Sequence, residues 1–102
     1  MRSRDKRLTT YHVAQLKIQD ADVVVIFLEG GLHLKTRPQD RQELYRTLRN
    51  CAVRAGLPGE VVAVWPDDFA RTRFIAPAQQ HPFFQAVSYD QLYAQVNGTL
   101  GC

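Results

Sequence analysis

The sequence predicts a small α+β domain built on a mixed sheet, and three observations predict it. Val23–Leu28 is a continuous, mostly β-branched apolar run of six residues, the pattern of a strand buried on both faces. Leu44, Leu48, Cys51 and Ala55 then recur at helical spacing, and Val61–Val64 forms a second short apolar run. Strand, helix, strand is a βαβ unit, which predicts two parallel neighbouring strands joined by a right-handed crossover.

The elements follow in order from the N-terminus. Residues 1–7 hold Arg2, Arg4, Lys6 and Arg7 with a single acid and no large apolar anchor, so a disordered basic tail is expected there, with one domain over 8–102. From Leu8 to Ile18, Leu8, Thr10, His12, Ala14, Leu16 and Ile18 alternate with the residues between them, as in a half-buried strand. Gln19-Asp20-Ala21-Asp22 is a polar break of hairpin length, and Val23–Leu28 returns as the centre of the sheet. Glu29-Gly30-Gly31 ends that strand. Thr36 with Gln39 three residues on forms a capping-box pattern, and Pro38 suits a first helical turn, so a helix is expected from about Arg37 to Ala55, stopped by Gly56. Glu60–Trp65 is the parallel strand. Arg71–Ala76 reads as a fourth, antiparallel strand ended by Pro77, and residues 77–87 as irregular or a short helical turn. Ser88 with Gln91 caps a last helix over Tyr89–Val96, closed by Asn97-Gly98. The predicted order is ββαββα, with three or four strands, the long helix on one face and the shorter one helping to cover it or capping an edge.

Charge narrows the function classes. The 102 residues carry 13 Lys+Arg and 10 Asp+Glu, a net charge of +3. The first seven residues account for that excess, leaving nine charges of each sign from Leu8 onward. Bulk charge therefore gives no support to nucleic-acid binding by the body of the fold. The longest apolar run is far short of the roughly 20 residues that span a bilayer, and the charged start does not lead into an apolar signal-peptide core. Two cysteines, Cys51 in the helix and Cys102 at the end of the sequence, are expected as free thiols in a reducing cytosol, giving a cytoplasmic address.

Four places invite chemistry. Gly30, Gly31, Lys35, Thr36 and Arg37 lie between a parallel strand and a helix N-terminus, where backbone N–H groups attract phosphate, although neither GxGxxG nor GxxxxGK[ST] is present. Glu29, His33, Asp67 and Asp68 follow the two parallel strands and define a crevice for a small enzyme, against the plain alternative of polar turns. Arg71 and Arg73 share one side of a strand and, with Arg2, Arg4, Lys6, Arg7 and an aromatic platform at Tyr11, make a nucleic-acid stripe. Phe83 and Phe84, adjacent on an irregular segment and followed by Tyr89 and Tyr93, form an aromatic patch for a protein partner or a second copy, or else close the core under the last helix.

The histidines His12, His33 and His81 have no metal-ligand spacing, and the serines are Ser3 in the tail and Ser88 at a cap. No metal, no cofactor and no catalytic residue are therefore assigned. The leading expectation is a non-catalytic interaction module, ahead of a binder of phosphate-bearing ligands or nucleic acid, and ahead of an enzyme.

Overall fold

The computed structural model describes residues 10–28, 37–66 and 72–102. Its elements are β1 (Thr10–Ile18), β2 (Ala21–Phe27), α1 (Pro38–Arg54), β3 (Glu60–Pro66) and β4 (Thr72–Ile75), then a 3-10 turn (Ala78–Gln80), α2 (His81–Ala86), α3 (Tyr89–Tyr93) and β5 (Gly98–Gly101). The strands form one mixed sheet in the order β4-β3-β2-β1-β5. β2 lies at its centre and pairs parallel to β3 in the register Val23↔Glu60 to Phe27↔Val64, as the βαβ pattern predicts. All other pairings are antiparallel.

Alternation along the strands splits the core into two layers. Val13, Val24, Ile26, Leu28, Ala63 and Trp65 face α1, which contributes Leu48, Cys51 and Ala52. Ala14, Val23, Val25, Phe27, Val62 and Val64 face the other way, onto Phe84 of α2 and Leu92 of α3. The short helices therefore do not share a face with α1; they cover the opposite one. Both faces of β1 are buried at Val13 and Ala14, so this strand is more enclosed than its half-buried pattern indicates.

Local chemistry fixes the connections. Gln19 and Asp20 both have positive φ and lie between the paired Ile18 and Ala21, a two-residue hairpin whose backbone matches the twist of the strands it joins. α1 starts at Pro38, and the Asp40 carboxylate at its third position accepts from both the backbone N–H and the guanidinium of Arg37 at 3.3 Å. Arg37 thus stands at the cap, and Thr36 of the expected Thr36/Gln39 box lies outside the described residues. The helix ends in a Schellman arrangement: Gly56 N–H donates to Val53 O and Leu57 N–H to Ala52 O, with Gly56 in the left-handed region at φ +78°. Gly59, at φ +99°, leaves room for the chain to enter β3, since a Cβ there would stand 2.1 Å from the Asp22 carbonyl oxygen.

The C-terminal segment departs from the expectation. α3 stops at Tyr93, and the chain continues into β5, antiparallel to β1. Asn97 begins this return: its N–H donates to Val13 O, its Oδ1 accepts from Gln15 N–H, and its Nδ2 donates to Gln15 O. The side chain thus acts as one more peptide group in the ladder. Leu100 enters the α1 layer of the core, and Cys102 reaches α1 and bonds to Cys51, with Cα atoms 5.7 Å apart. The expectation of two free thiols is therefore corrected. Its physical error was to end the chain in a helix, with no strand to carry Cys102 back under α1.

Candidate functional site

Among the described residues, a groove of about 780 Å³ lies between the β1–β2 hairpin and the α2–α3 layer. Leu16, Ile18, Phe83, Val87 and Leu92 give it an apolar lining, and Lys17, Gln19, Gln91 and Gln95 supply polar groups. β1 brings Leu16 and Ile18 to this side because they share parity with Ala14. The capping box of Ser88 and Gln91, with Gln91 N–H donating to Ser88 Oγ at 3.1 Å, sets the start of α3 and so places Gln91 and Gln95 on the groove.

The aromatic pair divides between surface and core. Phe84 is fully buried, edge-on to Phe83 and tilted against Phe74. It holds α2 on the sheet and is corrected from a contact residue to a core residue. Phe83 is 37% exposed and lines the groove. Tyr93, 43% exposed, stacks on Tyr89, and both tyrosines meet Phe27 edge-on. Burial pushes the Tyr89 hydroxyl pKa upward, with Tyr93 and Asp90 adding to the rise. Tyr93 also touches His12, whereas Phe83 sits beside Leu16–Gln19. His12 and Ile18 are six residues apart on an extended strand, about 20 Å. The four aromatic residues consequently do not make one patch; Phe83 alone belongs to the groove.

Gly30, Gly31, Lys35 and Thr36 of the anion loop, Glu29, His33, Asp67 and Asp68 of the crevice, and Arg2, Arg4, Lys6, Arg7 and Arg71 of the basic stripe lie outside the described residues. The strands leading to the crevice run side by side, with Leu28 N–H donating to Val64 O at 2.8 Å, so both segments start from the same end of the sheet. Arg37 is described and is spent on Asp40. Arg73 is exposed on the edge strand β4, opposite Trp65. Tyr11 cannot serve as its platform. Three strand spacings, about 14 Å, separate β1 from β4.

His81, Glu60 and Tyr45 each have a structural partner. His81 Nε2–H donates to the Ala76 carbonyl at 2.9 Å, with its ring edge-on to Phe74. Glu60 accepts from the amide groups of Gln79 and Gln80, tying the start of β3 to the 3-10 turn; the Gln80 bond is 2.9 Å and that side chain is buried. Tyr45 donates to Val61 O at 2.7 Å, and burial pushes its pKa up, helped by Glu60 and opposed by Arg49. Among the described residues no group of three or more His, Cys, Asp or Glu side chains could hold a metal ion, and no helix is long and apolar enough to cross a membrane.

Comparison with protein-family models, with curated proteins and with solved structures finds no match for this chain. The groove was legible in the sequence only through Phe83, because its other walls come from three separate elements.

Proposed function

We propose that the chain is a non-catalytic interaction module whose contact face is the Phe83 groove and whose partner there is a second copy of itself. The observation that supports this is the partly exposed Phe83 beside an apolar concavity of about 780 Å³. Residues 78–97, which form this layer, contain no Lys or Arg and a single acid, Asp90. Among the described residues the groove's one cation, Lys17, pairs with Asp22 at 3.4 Å, so two such faces meet without strong like-charge repulsion, and a two-fold arrangement seats each Phe83 in the other copy's groove. Leu16, Ile18 and Val87 then lose water together, and Gln91 and Gln95 remain at a polar rim. The Cys51–Cys102 bond favours an oxidising compartment over the cytosol for this module.

Light scattering or sedimentation at increasing concentration tests the reading. The native chain is expected to pass from monomer to dimer, and Phe83→Asp to stay monomeric with an unchanged circular dichroism spectrum. A native chain that remains monomeric at about millimolar concentration, or a Phe83→Asp variant that dimerises as well as the native one, overturns it.

A further inference from the structure

Two smaller concavities lie along the seam between α1 and β4, of about 530 Å³ and 180 Å³. Both are lined by Gln42 and Ile75, so they adjoin and form one channel beside the helix. Three arginines line it: Arg41 and Arg49 from α1 and Arg73 from β4. Arg73 reaches this side because it pairs with Trp65, which faces α1. The Arg41 guanidinium lies over the Trp65 ring, 5.8 Å from its centre. The acid on the wall is Glu60, whose oxygens already accept from Gln79 and Gln80. The ion pairs Lys17–Asp22 and Arg37–Asp40 involve neither Arg49 nor Arg73, whose guanidinium groups face the seam.

We infer that this seam binds the phosphate backbone of a single-stranded nucleic acid. A single strand exposes its bases beside the backbone, where apolar and amide surface can meet them, whereas a duplex keeps them stacked inside. Guanidinium groups, unlike ammonium groups, present a planar fork that fits phosphate in bidentate fashion, and α1 carries arginine at all five of its cationic positions, counting Arg37 at its cap. Ile75, Pro77 and Val53, the last 73% exposed, give apolar surface beside the arginines, and the Gln42 amide suits the polar edges of unpaired bases. The site stands on the face opposite the Phe83 groove and does not depend on it.

Fluorescence anisotropy with a labelled oligothymidylate and an oligouridylate, titrated into the full chain over a salt series, tests the inference. Affinity should fall with salt by about 0.7 log unit per log unit for each phosphate engaged. Arg49→Gln with Arg73→Gln should weaken binding at least about tenfold and reduce that slope by about 1.4. Arg46→Gln with Arg54→Gln, on exposed positions outside the channel, should leave both nearly unchanged. Four results overturn the assignment: no binding at low salt, equal losses in the two double variants, binding that survives Arg49→Gln/Arg73→Gln, or a polyglutamate peptide that binds as tightly as the oligonucleotides.

Discussion

Reduction of the Cys51–Cys102 bond should remove a large part of the stability of this fold. The bond closes a loop with a sequence separation of 51 residues. Cross-linking a loop of that length takes about 14 cal/mol/K of chain entropy from the unfolded state, which is about 4 kcal/mol at room temperature. Domains of this size have total stabilities of about 5–15 kcal/mol, so the bond ranks with the largest single contributions available. Reduction does not by itself abolish the native contacts of β5, since Leu100 stays in the core and Asn97 holds the start of the strand on Val13 and Gln15. The loss should therefore appear as lower global stability with the fold retained. Urea unfolding with and without reductant measures it, with Cys51→Ser/Cys102→Ser as a reductant-independent equivalent. Thermal midpoints should drop by about 15–30 °C, at about 4–8 °C per kcal/mol. Alkylation and intact mass fix the thiol state in each sample. A stability change below about 1 kcal/mol with both thiols verified as free would refute the loop-closure reasoning. Native, unreduced protein that alkylates at both cysteines would refute the docking of β5 under α1.

Two further outcomes follow from local geometry. Gly56 and Gly59 both have positive φ, but a Cβ at Gly56 meets nothing within 4 Å, whereas at Gly59 it meets the Asp22 backbone at 2.1 Å. Gly56→Ala should cost about 1 kcal/mol and Gly59→Ala more than about 3 kcal/mol, because the latter must separate the starts of β2 and β3; equal losses in urea unfolding would remove the close approach as the cause. At alkaline pH, Tyr45 works against the fold. Burial raises its pKa above the ordinary 10.0, so on raising the pH the unfolded chain loses this proton first. Stability is complete below about pH 10 and declines as the pH climbs beyond it, where the unfolded state holds fewer protons. Tyr45→Phe should lessen that decline, leaving the part due to Tyr89, and should cost about 1 kcal/mol at neutral pH through the lost bond to Val61 O. Parallel alkaline declines in the two proteins would exclude Tyr45 as a contributor.

The elements legible in the sequence are those whose signal is local and repeated. Val23–Leu28, buried on both faces, reads as a central strand because no polar residue interrupts it, and the Leu44/Leu48/Cys51 spacing reads as a helix because a single face recurs over several turns. β5 was hidden for the opposite reason. Gly98-Thr99-Leu100-Gly101 has one large apolar side chain and two glycines, too little to show a period, and it becomes a strand because β1 has an unpaired edge and Asn97 mimics a peptide group there. The disulfide is hidden with it, because only β5 carries Cys102 back under α1. For the sites, sequence adjacency misled: Phe83 and Phe84 are neighbours in the chain, yet helical geometry turns one to solvent and the other into the core. Arg49 and Arg73 are 24 positions apart and line neighbouring concavities only because β4 lies at the sheet edge on the α1 side.

The cations of α1 are a choice that folding does not ask for. An amphipathic helix with Leu48, Cys51 and Ala52 buried would dock equally well with neutral or alternating charges on its outer face. The helix macrodipole disfavours cations near the N-terminus, where Arg37 and Arg41 stand, and Asp40 offsets only part of that cost. Four-residue Glu-to-Arg spacings would add stability, but Glu43 is followed at that spacing by Thr47, and Arg46 and Arg49 follow Gln42 and Tyr45. Meanwhile the layer across the sheet carries no cation at all between residues 78 and 97. Sorting of charge between two faces of one sheet brings no gain in packing, since both core layers are apolar and complete without it. Sequences that set local preference aside without a return in stability do so most often where a surface has a partner. The seam of Arg41, Arg49 and Arg73 is the place in the described fold where that departure and a concave surface coincide.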